Sequence, residues 1–200
     1  MGIIRIADGS TTLYPAETIG AKAANLAHMA ALGLPVPPAF VLPIKLCAAI
    51  VENDPDAKQK LTDGLKEGIG FLEQATGRLF GDRRRPLLVS VRSGAARSMP
   101  GMLDTVLDVG CTSAAVHGLV RMTGHPRFAW DCKRRFLESY ATVVLGLDRA
   151  LFAKRLEELV AAEGVGAESA LDSEALERLA LAYQQMIENE DGVCPRRDRS

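Results

Sequence analysis

The chain has 200 residues, 48% of them apolar, and a formal net charge of -1 from 24 basic and 25 acidic side chains. That is enough apolar material for one large domain or two small subdomains with a buried core, and the balanced charge excludes a global field favouring nucleic acid or an anionic membrane. Four widely separated cysteines, Cys47, Cys111, Cys132 and Cys194, form no C-x-x-C pair, which argues against a zinc ribbon and a secreted disulfide framework and favours a reducing, cytoplasmic setting.

The first residues lack the long apolar stretch of a signal peptide, and no apolar run reaches membrane-spanning length. Ile3 to Ile6 reads as a short strand. Gly20 to Leu32 is an alanine-rich helix, stopped by Gly33 and the Pro35, Pro37, Pro38 cluster. A second strand is predicted over Phe40 to Leu42. A helix follows from about Pro43, and another covers Ala57 to Thr76, weakened by Gly64, Gly68 and Gly70. Gly81 to Pro86 is a turn, and Leu87 to Arg92 is the strongest strand signal in the chain.

Beyond Thr105-Val109 the character changes. From Thr112 to about Asn189 the pattern is helical, broken near Gly124-His125-Pro126, Gly146 and the Gly164-Gly166 pair. Phe128, Cys132, Phe136, Tyr140 and Val144 recur at every fourth position and predict a continuous apolar face, with Trp130 beside it as a structural residue. The expected fold class is α+β. A mixed lobe occupies 1–111, a helical subdomain 112–190, and a disordered tail 191–200. The basic runs Arg83-Arg84-Arg85 and Lys133-Arg134-Arg135 read as a solvated turn and a solvated helix face.

The densest chemistry lies in SVRSGAARSMPGMLDT, Ser90 to Thr105. Strand alternation puts Arg92 at the strand end on its less apolar face, with Ser93 and Gly94 directly after it. Backbone N–H groups, hydroxyls and a guanidinium converging at the end of a strand can cradle a phosphate; the same composition also suits a surface turn with a solvated arginine. Lys22 is spaced with Leu26 and Met29 on the apolar stripe of its helix, near the N-terminal end. A bound anion would relieve it there, and a stem snorkelling along the core edge would equally explain it.

Three stretches resemble pyruvate phosphate dikinase and its relative phosphoenolpyruvate synthase. GAKAANLAHMAALGLPVPPAF resembles G-x-K-x-x-N-L-x-x-M…G-[LM]-P-[VI]-P-x-[GA]-F; LLVSVRSGAARSMPGMLDTVLDVG resembles the next dikinase signature, including its Ser-Met-Pro-Gly-Met run; TGHPRFAWDCKRRFLESYATVV resembles the helical segment that follows. The resemblance implies the N-terminal part of an ATP-grasp domain, which in that family passes a phosphoryl group from ATP to a histidine on a swivelling domain, on the way to phosphoenolpyruvate. Carried over, Lys22 and Arg92 are the phosphate-contacting cations, with Arg92 also in a catalytic role. Ser93, Gly94, Ser98, Gly101 and Met102 line or shape the loop over the phosphates, and Asp104 and Thr105 anchor it.

The sequence also departs from the family. Ala96 stands where a basic residue is frequent, with Arg97 next to it, and Ala39 replaces a glycine. Magnesium is expected in the complete family enzyme, but its carboxylate ligands, the phosphohistidine domain and the pyruvate/phosphoenolpyruvate domain have no counterpart here, so no metal ligand is assigned. Two readings follow: a portion of an ATP-dependent phosphotransferase, or a non-catalytic scaffold that keeps the fold without a complete ATP site. Neither calls for nucleic acid or a membrane.

Overall fold

Helix-forming and strand-forming segments alternate early in the chain and give way to four long helices, as the change in sequence character near Thr112 implies. The computed structural model describes residues 2–94 and 105–193. Mixed helix and small two-stranded sheets make it compatible with the α+β class. The chain divides into two compact units, one formed by Met1–Phe80 and Arg92–Asp104, the other by Gly81–Val91 and Thr105–Ser200.

In the first unit β1 (Ile4–Ile6) pairs antiparallel with β2 (Ala39–Val41), Arg5 opposite Phe40. Between them lie α1 (Ala16–Ile19) and α2 (Ala21–Ala31), then α3 (Ile44–Val51), α4 (Pro55–Thr76) and β3 (Leu79–Phe80) follow. Gly20, predicted as the first residue of one helix, separates two: its φ of 85° breaks the ladder after the four residues of α1. The long helix α4 begins two residues earlier than predicted. Asp54 caps it, accepting a hydrogen bond from the Asp56 N–H, and Pro55 occupies the first turn, where a missing N–H costs nothing.

The glycines expected to weaken α4 instead let it seat. A Cβ on Gly68 would overlap the Phe40 ring, and one on Gly64 would lie 3.1 Å from Leu42 Cδ2 and 3.3 Å from Ile3 Cγ2. One turn apart, these two positions form a flat strip against β2 and the start of β1. The helix gives up intrinsic stability there, about 1 kcal/mol per glycine relative to alanine, in exchange for close backbone approach. Beside the strip, Arg5 pairs with Glu67 at 2.9 Å and lies 5.4 Å from the Phe71 ring centroid.

In the second unit the predicted strand Leu87 to Arg92 is interrupted. β4 is Pro86–Leu87, and β5 (Val89–Arg92) pairs with β6 (Thr105–Val109). The break at Leu88 resets the alternation: Leu88 packs on the helical core, while Val91 is 54% exposed. The helices α5 (Ser113–Thr123), α6 (Pro126–Val143), α7 (Arg149–Ala162) and α8 (Ser173–Val193) fall between the predicted breaks. Thr112 and Asp148 cap α5 and α7, and Gly124, at φ 71°, ends α5. α8 continues past Asn189 to Val193; the remainder of the predicted tail, residues 194–200, lies outside the described residues.

Helix α6 is the centre of this unit, packed by α5, α8 and β6. Its predicted apolar face is only partly buried: Cys132 is in the core, whereas Phe128 and Val144 are 50% and 56% exposed. The reason is geometric. A step of four residues overshoots a 3.6-residue turn by about 40°, so a row of five such positions spirals across the helix and leaves the core at both ends. The buried positions instead include Ala129, Trp130, Leu137 and Ala141. Phe152 and Tyr183 meet edge-to-face with ring centroids 4.9 Å apart, and the Tyr183 hydroxyl donates to the Phe152 carbonyl at 2.7 Å.

The run Lys133-Arg134-Arg135 is not a solvated face either: Lys133 and Arg134 are buried. The Arg134 guanidinium reaches Asp131 at 2.8 Å, Glu138 at 3.1 Å and Glu168, which ties the turn before α8 to α6. Arg127 reinforces that tie by donating to the carbonyls of Leu171 and Glu168.

Candidate functional site

Lys22 is the second residue of α2 and is half-buried. The residue at the helix cap is Gly20, which has no side chain to satisfy the first-turn N–H groups, and none caps them among the described residues. That end therefore presents oriented N–H donors, the positive pole of the helix dipole and a lysine. Arg92 ends β5, and Ser93 and Gly94 follow it; all three are exposed.

Gly94 connects the two segments. A Cβ built on it would lie 3.6 Å from the Ile19 carbonyl oxygen and 3.9 Å from Gly20 Cα. The backbone leaving β5 thus passes against the α1–α2 junction, at the end of the helix that carries Lys22, within one unit of the molecule. Residues some 75 positions apart in sequence, Ile19 and Gly20 on one side and Gly94 on the other, come to one place. Among the described residues neither Lys22 nor Arg92 is engaged in an ion pair. Chemically, such an arrangement of two cations and backbone donors can receive a multiply charged oxyanion.

The other expected residues are distributed differently. Ser98, Gly101, Met102 and Asp104 lie outside the described residues. Thr105 opens β6, half-buried, and belongs to the other unit. Sequence reading did not single out Gly20. Its signal was available in retrospect, since a glycine before an alanine-rich run can begin a helix from a positive φ that other residues rarely adopt.

A second group of ionisable residues lies in the other unit, around the end of β6 and α6. Burial pushes Asp108 up from the ordinary carboxylate value and Lys133 down from the ordinary lysine value. It pushes the Cys111 and Cys132 thiols up to about 12. Thiols held protonated in this way are poor nucleophiles and poor metal ligands, and Lys133 spends its ammonium on the Ser113 hydroxyl at 3.2 Å. This group is part of the core. Among the described residues no cluster of three His, Cys, Asp or Glu side chains could hold a metal ion, and no helix is long and apolar enough to cross a membrane.

No protein-family model matches the chain. Individual proteins do: it is 42% identical over 177 residues, 88% of this chain, to the pyruvate, phosphate dikinase of Rhizobium meliloti. The chain is a relative of one region of pyruvate, phosphate dikinase. The dikinase of Clostridium symbiosum is 39% identical over 166 residues, 83% of this chain, and the chloroplastic dikinase of Flaveria pringlei 40% over 168 residues, 84% of this chain. The aligned region is 20%, 19% and 18% of those three proteins respectively, so the chain spans about one fifth of the length of the curated dikinases it matches. Kinship with the dikinase agrees with the family resemblance carried by the Lys22 and Arg92 segments.

Proposed function

We propose that this chain forms part of the ATP-binding region of a pyruvate, phosphate dikinase-like phosphotransferase, with an ATP-grasp architecture. The observation that carries the reading is the passage of Gly94 against the Ile19-Gly20 junction, because it joins the strand end bearing Arg92 to the helix end bearing Lys22. Phosphoryl transfer asks little covalent chemistry of the protein and much positioning and charge neutralisation. In this reading the Lys22 ammonium acts as a point charge on the ATP phosphates, and the Arg92 guanidinium holds two phosphate oxygens with its planar fork, acting catalytically by taking up charge as the transferring group loosens. The first-turn N–H groups of α2 and those of Ser93 and Gly94 supply fixed donors.

Ser98, Gly101 and Met102 would continue the loop over the phosphates, with Asp104 and Thr105 anchoring it. Magnesium belongs to this chemistry in the resembling family, but the described residues offer no set of ligands for it, and no step is assigned to it. The phosphoryl acceptor would be a histidine on another domain, and pyruvate and phosphoenolpyruvate would be handled by a third. A cytoplasmic setting suits the reduced cysteines.

Thermal unfolding of the chain with increasing ATP and magnesium tests this reading. A ligand at 100 times its dissociation constant stabilises a protein by about 2.7 kcal/mol. The expected result is a concentration-dependent rise in Tm that shrinks in Lys22→Ala and in Arg92→Ala. A flat response, or one unchanged in both variants, overturns it.

A further inference from the structure

The arginine-rich turn before β4 is a built feature. Asp82 Oδ1 accepts hydrogen bonds from the N–H groups of Arg84 and Arg85, at 2.6 and 2.7 Å, which fixes the turn. The Arg83 carbonyl lies directly on helix α5 at Gly118, where a Cβ would come within 2.7 Å of the Arg83 oxygen and 2.8 Å of Pro86 Cδ. His117 directly precedes Gly118 and Arg121 follows it by nearly one turn, and Arg121 Nη2 donates to the same Arg83 carbonyl at 3.0 Å. The result is an open groove of about 520 Å³ lined by Arg83, Ala114, His117, Val120 and Arg121.

Three of those five side chains are basic, and no lining residue is acidic. Among the described residues, neither Arg83 nor Arg121 forms an ion pair. In a chain whose charges otherwise balance, two arginines and a histidine line one groove with Ala114 and Val120 and no acidic side chain. An anion bound between the two guanidinium groups would offset their mutual repulsion. The groove spans about two turns of α5 and one loop, and its volume is within the range of small-ligand sites. Guanidinium groups favour oxyanions that they can grip through two oxygens.

We propose that this groove binds a compact phosphorylated anion, at a site separate from Lys22 and Arg92. None of its residues takes part in the nucleotide reading above, so the two can fail independently. Inorganic pyrophosphate is the probe, titrated into the 200-residue Lys22→Ala/Arg92→Ala chain while the His117 imidazole signals are followed by NMR. The expected result is a saturable shift, with binding weakened about tenfold or more in Arg121→Glu, as for loss of a charge-assisted contact. Because Arg121 also braces the turn, Arg83→Glu is the second variant: its backbone carbonyl makes the structural contacts, and its side chain is free to be reversed. Thermal unfolding of both variants reports whether they remain folded.

Several outcomes overturn the proposal. They are no saturable shift, a shift undiminished in folded Arg83→Glu, and an equal response to sulfate, which would mark general ion screening only. Binding of a hexaglutamate peptide in the absence of pyrophosphate binding would assign the groove to an acidic protein segment instead.

Discussion

The two units differ sharply in how they are held together. Of the 24 buried apolar residues among those described, only Ile6, Ile19, Ala27, Ala57 and Leu72 belong to the first unit; the other 19 belong to the second. The second unit has a continuous core around α6, with aromatic contacts, capped helices and a buried arginine tied to three carboxylates. The first unit relies on close backbone approach, as at Gly64 and Gly68, and on small side chains. Yet it is the first unit that carries Lys22, Arg92 and Gly94. The residues of the nucleotide proposal therefore lie apart from the better-filled core, where donors can stay exposed.

That contrast can be broken or sharpened by experiment. The largest effect belongs to Phe152→Ala: removing a fully buried ring from the second core should cost about 3–5 kcal/mol in chemical denaturation. A cost under about 1 kcal/mol would mean the core is not as closely packed as described. Next come two glycine substitutions, one in each unit. Gly68→Ala and Gly118→Ala each force a Cβ into occupied space, against the Phe40 ring and the Arg83 carbonyl, and should destabilise by about 1–3 kcal/mol. Gly64→Ala, whose neighbours lie at 3.1 and 3.3 Å on side chains that can shift, should be nearly neutral because the gain in helix propensity offsets the crowding. Equal losses at Gly64 and Gly68 would show that the strip is not graded in this way. Tyr183→Phe, which removes the hydroxyl bonded to the Phe152 carbonyl, should cost about 1 kcal/mol.

The smallest effect concerns Asp108. Burial raises its folded pKa above the ordinary value of 3.8, so the fold favours the protonated carboxyl, and its stability contribution is lost as pH rises through the folded value. Asp108→Asn should therefore raise Tm slightly at neutral pH. The gain should vanish below the ordinary carboxylate value, where wild-type Asp108 is protonated in both folded and unfolded states. Asparagine also tolerates the φ of 52° found at this position. A gain of the same size at low pH would trace to the backbone alone.

Much of this organisation was legible in the sequence. Helix breaks at Gly124, Gly146 and Gly164 were readable because each glycine adopts a positive φ that other residues rarely adopt. Lys22 and Arg92 were singled out as cations near element ends, a placement that equally suits solvated side chains, and the family resemblance assigned them to phosphate. What was not legible has a common cause, the dependence of a side chain's surroundings on distant chain segments. Nothing local to Lys133-Arg134 announces that α8 and the turn before it will cover them. The seating of α4 on Phe40 likewise turns two helix-weakening glycines into contacts. The burial of Cys132 but exposure of Phe128 follows from the pitch of the helix, which a count of every fourth residue ignores.

The course of the chain between the units has a further consequence. It crosses from one to the other at Phe80, returns at Arg92 and crosses again after Asp104, so neither unit is a continuous stretch of polypeptide. During synthesis the first 80 residues emerge without the segment that brings Arg92 and Gly94 to the head of α2, and eleven residues destined for the other unit must pass first. The candidate site therefore cannot be assembled by local folding of the N-terminal segment. Its formation waits on a long-range closure, which costs loop entropy and slows folding. Cleaving the chain after Phe80 would detach the segment bearing Arg92 and Gly94 from the helix end bearing Lys22 while leaving every residue of both helices α1 and α2 intact.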